Sequence, residues 1–162
     1  MKANLYAAGA VLIIAAFGPG SSLAQEHTEN QAVTHKSCSP ATLKGSFGFG
    51  GIGSVVVAPG MTIPLAVTGR IVADGNGQLS GTQTRVRDGV LVRETFTGVY
   101  DVTPDCTGSD ILYFAGRPPI TRDFVVVGRG EEIRYIVTGS LPGAVITINA
   151  TRQHSGRERG ED

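Results

Sequence analysis

The chain has 162 residues, with 14 basic and 14 acidic side chains, so its formal net charge is zero. Such a chain can build one domain with a substantial core. Phosphate recognition requires an excess of Lys and Arg on one surface, and the overall balance of charge gives no sign of one. Nucleic acid is therefore not an expected partner.

The first 24 residues have the features of a secretory signal peptide. Lys2 supplies a short positive region, residues 10–17 form an apolar run, and Ser22 and Ala24 are small residues placed for cleavage before Gln25. The run is too short and too interrupted for a membrane span, although a retained anchor is the alternative. We therefore expect a secreted or periplasmic protein with no membrane span in the mature chain.

Cleavage would leave 138 residues with 13 basic and 14 acidic side chains, a net charge of about minus one. Residues 25–37 and 154–162 are polar and have no hydrophobic period, so we expect a flexible lead-in and a flexible tail. Residues 38–153 are then the folded domain.

Two cysteines, Cys38 and Cys106, lie in the exported part. An isolated pair in an exported protein favours one disulfide bond. The alternative, a reactive thiol, would need a histidine nearby, but His27, His35 and His154 all lie in the flanking segments. The same distribution gives no metal-binding cluster in the domain, and no cofactor is expected.

Between residues 44 and 152 the composition is typical of β-strands, rich in Val, Ile, Thr, Phe, Tyr and Gly, and no helical period is present. Turn sequences such as DGNG at 74–77 and GRPP at 116–119 separate the strands. The predicted strands are 44–50, 52–58, 65–73, 78–87, 90–102, 108–115, 121–128, 132–138 and 144–152. The alternative for the first two is one strand bent at its glycines.

Short connections predict antiparallel neighbours, because a parallel pair needs a long crossover. Eight or nine such strands predict an all-β fold, a small antiparallel up-and-down β-barrel, which removes the exposed edges of an open sheet. A two-sheet β-sandwich is the alternative.

One motif suggests a dinucleotide site and is rejected. Gly48, Gly50 and Gly53 spell G-x-G-x-x-G, with Asp74 about where a ribose-binding acid would lie. That motif works at the start of a helix, whereas here a β-branched run follows and ends at Pro59. The glycines are instead expected to let the strand curve or bulge at a barrel corner.

Residues 90–102 give the clearest candidate for chemistry. Alternation places Glu94 on the apolar face of this strand, with Phe96 and Tyr100. Desolvation disfavours a charged carboxylate, which would suit Glu94 to acid/base work with Tyr100 as a hydrogen-bond donor. The alternative is that Glu94 reaches solvent or pairs with an arginine such as Arg85.

Several aromatic side chains are expected to fill or line the barrel interior, and an eight-stranded barrel is either packed or able to hold one small ligand. The candidate ligand-binding residues are Phe96, Tyr100, Phe124 and Tyr135. Four arginines on other strands are expected to be exposed partners of surface acids, namely Arg70, Arg122, Arg134 and Arg152.

The segments CSPATLKGSFGF, GRIVADGNGQLSGT and RETFTGVYDVTPDCTG, followed by a closing hairpin that ends in TRQ, resemble exported bacterial proteins with an allene oxide cyclase barrel-like domain. The resemblance covers residues 38–153 and implies a calycin-like eight-stranded barrel. In that fold, plant allene oxide cyclases hold a fatty-acid epoxide while it cyclises. No catalytic motif of those enzymes carries over to this chain.

Three functions are consistent with the sequence. The first is a noncatalytic barrel that binds a small hydrophobic ligand, and the second is a cyclase or isomerase that acts by confining its substrate beside Glu94. The third is an interaction module with a packed core. An open apolar cavity would favour the first, an open cavity lined by Glu94 the second, and a filled barrel the third.

Overall fold

The computed structural model of the protein describes residues 37–139 and 142–154. The predicted signal peptide at 1–24 lies outside the described residues, as do all of the lead-in except Ser37 and all of the tail except His154. His154 lies at the end of the described chain, where its imidazole is 2.8 Å from a carboxylate oxygen of Glu131.

The described residues form an all-β domain with two 3-10 turns, Pro40–Leu43 and Gly128–Gly130. The strands are β1 (Gly45–Ala58), β2 (Met61–Ala73), β3 (Gln78–Arg87), β4 (Val90–Val102), β5 (Thr107–Phe114), β6 (Ile120–Val127), β7 (Glu132–Gly139) and β8 (Ala144–Arg152).

All eight strands join in one closed barrel in which each pairs with its neighbours in the chain and β8 pairs with β1. Every pairing is antiparallel. The predicted up-and-down barrel is confirmed, and the two-sheet sandwich is wrong. The predicted strands 44–50 and 52–58 are one strand, β1, and β2 begins four residues earlier than predicted.

The glycines of β1 do not form a bulge, which was one of their two predicted roles. Pairing with β2 and β8 is continuous across them, and the irregularity of β1 lies at 56–58 instead. A Cβ added at Gly51 would lie 2.6 Å from the carbonyl oxygen of Thr147, and one at Gly53 would lie 2.6 Å from the Cα of Ile146. Glycine at these two positions therefore lets β8 lie close to β1.

The two ends of the barrel differ. The closed end holds the turns β2–β3, β4–β5 and β6–β7, and is covered by the 3-10 turn Pro40–Leu43, whose Leu43 is buried. The open end holds the turns β1–β2, β3–β4, β5–β6 and β7–β8. Neither 3-10 turn of the described residues is long or apolar enough to cross a membrane.

The predicted disulfide between Cys38 and Cys106 is present, and it joins residues 68 positions apart. It holds the segment before the first 3-10 turn against the β4–β5 turn, where the amide of Cys38 also donates to the carbonyl of Pro104 at 3.2 Å. Closing so long a loop stabilises the fold by about 4 kcal/mol in the chain-entropy model. A disulfide is consistent with an oxidising, extracellular or periplasmic location.

Candidate functional site

Glu94 lies on the inner face of β4 near the open end, where three donors meet one of its oxygens. Its Oε1 accepts hydrogen bonds from Gln83 Nε2 at 2.7 Å, Arg85 Nε at 2.9 Å and Arg117 Nη2 at 2.8 Å. The inward position and the alternative of a pair with Arg85 are both confirmed. We call Gln83, Arg85, Glu94 and Arg117 the Glu94 cluster.

Two elements place the guanidinium groups of the Glu94 cluster. Gln83 of β3 is paired with Glu94 and so points to the same inner face. Arg85 lies two residues further along β3 and therefore points inward as well. Arg117 comes from the β5–β6 turn, and its guanidinium carbon lies 3.6 Å from the centre of the Phe114 ring. This stacking fixes the plane of the guanidinium group over the barrel interior.

The hydrogen-bond donors of Arg117 are only partly paired with neighbouring groups. Its Nε is buried and has no hydrogen-bond partner. Burial lowers the pKa of Arg117 below its ordinary value, and Glu94 opposes that effect. The Glu94 cluster thus carries two cations for one anion, and the side chains form a polar cover across the open end.

Tyr100 lies at the other end of the barrel. Its hydroxyl donates to the carbonyl of Pro40 at 3.1 Å and accepts from the amide of Gly75 at 3.0 Å. Burial raises the pKa of Tyr100 above its ordinary value, so the hydroxyl stays protonated. Its hydrogen bonds tie the 3-10 turn and the β2–β3 turn to β4, which is a structural task.

Glu94 and Tyr100 do not share a site. They are six residues apart on one extended strand, a separation of about 20 Å at 3.4 Å per residue. General acid/base catalysis requires groups within hydrogen-bond reach of the same reacting atoms. The two candidates are therefore not brought together as a catalytic pair.

The four candidate ligand-binding residues are all buried in the interior, as predicted. Three of them, Phe96, Phe124 and Tyr135, pack against aromatic rings. The Phe96 ring centre lies 5.4 Å from that of Phe114 and 6.4 Å from that of Phe49, and Phe124 lies 5.3 Å from Tyr135. These side chains form the core of the barrel, and their role in binding a ligand stays a prediction.

A buried ion pair that was not predicted from the sequence lies in the middle of the barrel. Arg122 donates to both carboxylate oxygens of Asp110, with Nε 2.8 Å from Oδ1, and both residues are only 2 % exposed. The guanidinium also lies over the Tyr135 ring, 4.1 Å from its centre. Burial disfavours the charge of Arg122, but Asp110 outweighs it and raises the pKa of Arg122, which stays cationic.

The expectation that Arg122 is an exposed partner of a surface acid is wrong. Arg152 does pair with the exposed Glu131, with 3.4 Å between its Nε and Oε1 of Glu131. Asp110 and Arg122 are directly paired across β5 and β6, and each alternates with apolar inward residues, a signal that the charge of the side chains obscured. Arg152 is mostly covered at the closed end. It donates to the carbonyls of Thr42 and Gly130, both at less than 3 Å, and so fixes the 3-10 turns.

Little space remains inside the barrel. A cavity of about 60 Å³ lies beneath the Glu94 cluster at the open end, and we call it the mouth cavity. Apolar side chains such as Leu112, Phe114 and Ile146 form much of its wall, and Arg85, Arg87, Arg117 and Arg122 also line it. A second space, of about 10 Å³, lies near the closed end between Tyr100, Asp110 and Phe124.

The described residues contain no group of three or more His, Cys, Asp or Glu side chains that could hold a metal ion. No family model, curated protein or solved structure matches the chain.

Proposed function

We propose that the protein is an exported, packed β-barrel that works as an interaction module through its outer surface. The observation that carries this proposal is the filled interior. Sites for small molecules and cofactors commonly enclose about 300 to 1,000 Å³. The mouth cavity, at about 60 Å³, is far smaller, and the space near the closed end is smaller still, at about 10 Å³.

The placement of the polar residues also favours an interaction module over an enzyme. Glu94 is engaged by three donors at the open end, and Tyr100 is engaged by backbone groups at the closed end. A confinement cyclase needs an interior that encloses its substrate and positions a reacting group. The described interior offers neither a large chamber nor a pair of convergent catalytic groups.

Two further points support the proposal. The Cys38–Cys106 disulfide agrees with export, since such bonds persist in oxidising compartments. The eight-stranded closed barrel agrees with the fold implied by the resemblance to allene oxide cyclase barrel-like domains. Fold alone does not transfer activity, so that resemblance supports the architecture and leaves the cyclase chemistry aside.

A cavity-forming substitution tests whether the interior is filled. Phe96→Ala should remove a ring packed between Phe49 and Phe114 and lower the free energy of unfolding by about 3 to 5 kcal/mol. An apolar cavity of about 150 Å³ can bind benzene, and binding to the folded state raises the melting temperature. We expect benzene to raise the Tm of Phe96→Ala and to leave the Tm of the wild type unchanged.

Tyr113→Ala is the matched control, because Tyr113 lies on the outer face of β5 with 47 % of its surface exposed. Its removal should open no internal cavity, and benzene should leave its Tm unchanged. An equal benzene-induced rise in wild type and Phe96→Ala would show that the native interior already accepts an apolar ligand, and the proposal would fail.

A further inference from the structure

Exposed apolar side chains gather at the open end of the barrel. Among the described residues 12 large hydrophobic side chains are exposed, and seven of them lie in or beside the β1–β2 and β3–β4 hairpin tips or at the start of β8. We call these seven the open rim: Val56, Val57, Met61, Val86, Val90, Leu91 and Val145. Within the open rim, the most exposed side chains are Val145 at 65 %, Val90 at 62 % and Met61 at 58 %.

Strand pairing places the residues of the open rim on neighbouring strands at one end of the barrel. Val145 is paired with Ser54 of β1, and the tip of β1 leads directly into Met61 of β2. Next along the sheet, Leu65 of β2 is paired with Arg87, which is itself paired with Val90 at the β3–β4 tip. Four adjacent strands and the start of β8 therefore present apolar side chains at one end of the molecule, rather than scattered over its surface.

Charge is also unevenly distributed between the two ends. The described residues of the four segments at the open end, 54–66, 82–95, 114–121 and 138–147, carry four cations and two anions, a net charge of plus two. The cations are Arg85, Arg87, Arg93 and Arg117, and the anions are Asp88 and Glu94.

The closed end has the opposite sign. Its segments, 37–47, 71–80, 99–109, 123–135 and 149–154, carry four cations and six anions, a net charge of minus two. The cations are Lys44, Arg129, Arg134 and Arg152, and the anions are Asp74, Asp101, Asp105, Asp123, Glu131 and Glu132. The near-neutral total charge therefore conceals a polarity along the barrel axis.

We propose that the open rim docks onto an anionic phospholipid surface, an inference that rests on the proposed role as an interaction module. Apolar side chains beside arginines are what a protein needs to lie in the interface of a bilayer, since the apolar groups enter the acyl boundary and the cations meet the headgroups. The acidic closed end then faces away from the membrane.

The arginines of the open end are available to such a surface. Among the described residues, no acid lies within ion-pair distance of Arg87 or Arg93. Arg85 and Arg117 share the single anion Glu94. Lipid phosphates would supply the missing negative charge, whereas a second copy of this end would bring positive charge against positive charge.

A tryptophan reporter tests the docking directly, because the chain contains no tryptophan. Met61→Trp places one at the β1–β2 tip, and Ile136→Trp places one on the outer face of β7, where the native side chain is 48 % exposed. Vesicles of phosphatidylglycerol and phosphatidylcholine in equal parts are added at low salt. We expect a blue shift of the Met61→Trp emission, no shift for Ile136→Trp, and release at high salt.

Charge variants test the role of the arginines. Each arginine near an anionic bilayer changes binding about fivefold, so the double variant Arg87→Gln, Arg93→Gln should bind these vesicles about 25 times more weakly. The matched control Arg129→Gln, Arg134→Gln removes two exposed arginines of the closed end and should bind within about twofold of the wild type. Melting temperatures establish that all three proteins are folded.

The docking is wrong if Met61→Trp shows no shift, if it responds equally to pure phosphatidylcholine, or if both double variants bind alike. Concentration-dependent dimers in sedimentation that Met61→Ser abolishes would also overturn it, in favour of a second copy as the occupant. If the vesicle experiments fail and benzene leaves the Tm of the wild type unchanged, only the membrane partner is rejected. If benzene raises the Tm of the wild type, the proposed interaction module is itself rejected.

Discussion

Asp110 and Arg122 place two opposite charges where an eight-stranded barrel normally holds apolar side chains. The two side chains are hydrogen-bonded to each other, and the Tyr135 ring covers the guanidinium group. Two charges lose their hydration on burial, and their attraction repays this only when the geometry is good. Because the pair joins neighbouring strands, we expect it to favour the observed register of β5 and β6.

The two members of this pair should be strongly coupled in their effect on stability. Asp110→Asn leaves the Arg122 charge uncompensated and should lower the free energy of unfolding by about 3 to 5 kcal/mol. The double variant Asp110→Leu, Arg122→Met removes both charges and should regain most of that loss or exceed the wild type. Urea unfolding of each variant measures these differences.

The exposed pair Glu132 and Arg134 supplies the control, because Glu132→Gln should change the free energy of unfolding by at most about 1 kcal/mol. A double variant at positions 110 and 122 that is as unstable as Asp110→Asn would show that the pair is not the source of the loss.

Residue-level prediction from the sequence succeeded where alternation and residue type agreed. Phe96, Phe124 and Tyr135 are apolar, alternate inward and are buried. Alternation also pointed Glu94 inward, and Arg85 of β3 was a foreseeable partner. The structure adds Arg117, which comes from a distant turn. Arg122 alternates inward just as clearly, but arginine is rarely buried, and sequence alone could not reveal Asp110 across the next strand.

At the level of elements, turn chemistry located most strand boundaries and failed at one. The segment that opens β2, at 61–64, contains Pro64, which argues against a strand interior. In the barrel Pro64 lies in the part of β2 before its first pairing with β3, at Leu65, so its missing amide donor breaks no bond on that side. Residues 61–64 therefore pair with β1 alone, and the local sequence does not reveal that pairing.

The segment before the first 3-10 turn depends on the disulfide for its attachment. Replacing Cys38 and Cys106 with alanine should lower the free energy of unfolding by about 4 kcal/mol, because the unfolded chain regains the freedom of a long loop. Denaturant unfolding with and without reductant measures the loss. Reduced wild type should match the double variant, and a double variant as stable as the oxidised wild type would contradict the chain-entropy account.

At the level of the whole molecule, closure and filling of the barrel determine what it can do. Closure was predictable, because short connections and many strands leave few other ways to avoid exposed edges. Whether the interior is open or filled depends on how the rings of Phe49, Phe96 and Phe114 pack across three strands. The alternation of residues along a single strand does not predict that packing. Under the proposed function a filled interior leaves the outer surface to make the contacts, and the basic open end of that surface differs from the acidic closed end.

Native mass spectrometry of the protein purified from its own host tests the central claim most directly. A barrel filled by its own side chains should give one mass, equal to that of the disulfide-bonded chain, before and after extraction with organic solvent. A bound small molecule at one copy per chain, lost on extraction, would show that the interior opens to hold a ligand and would contradict the account.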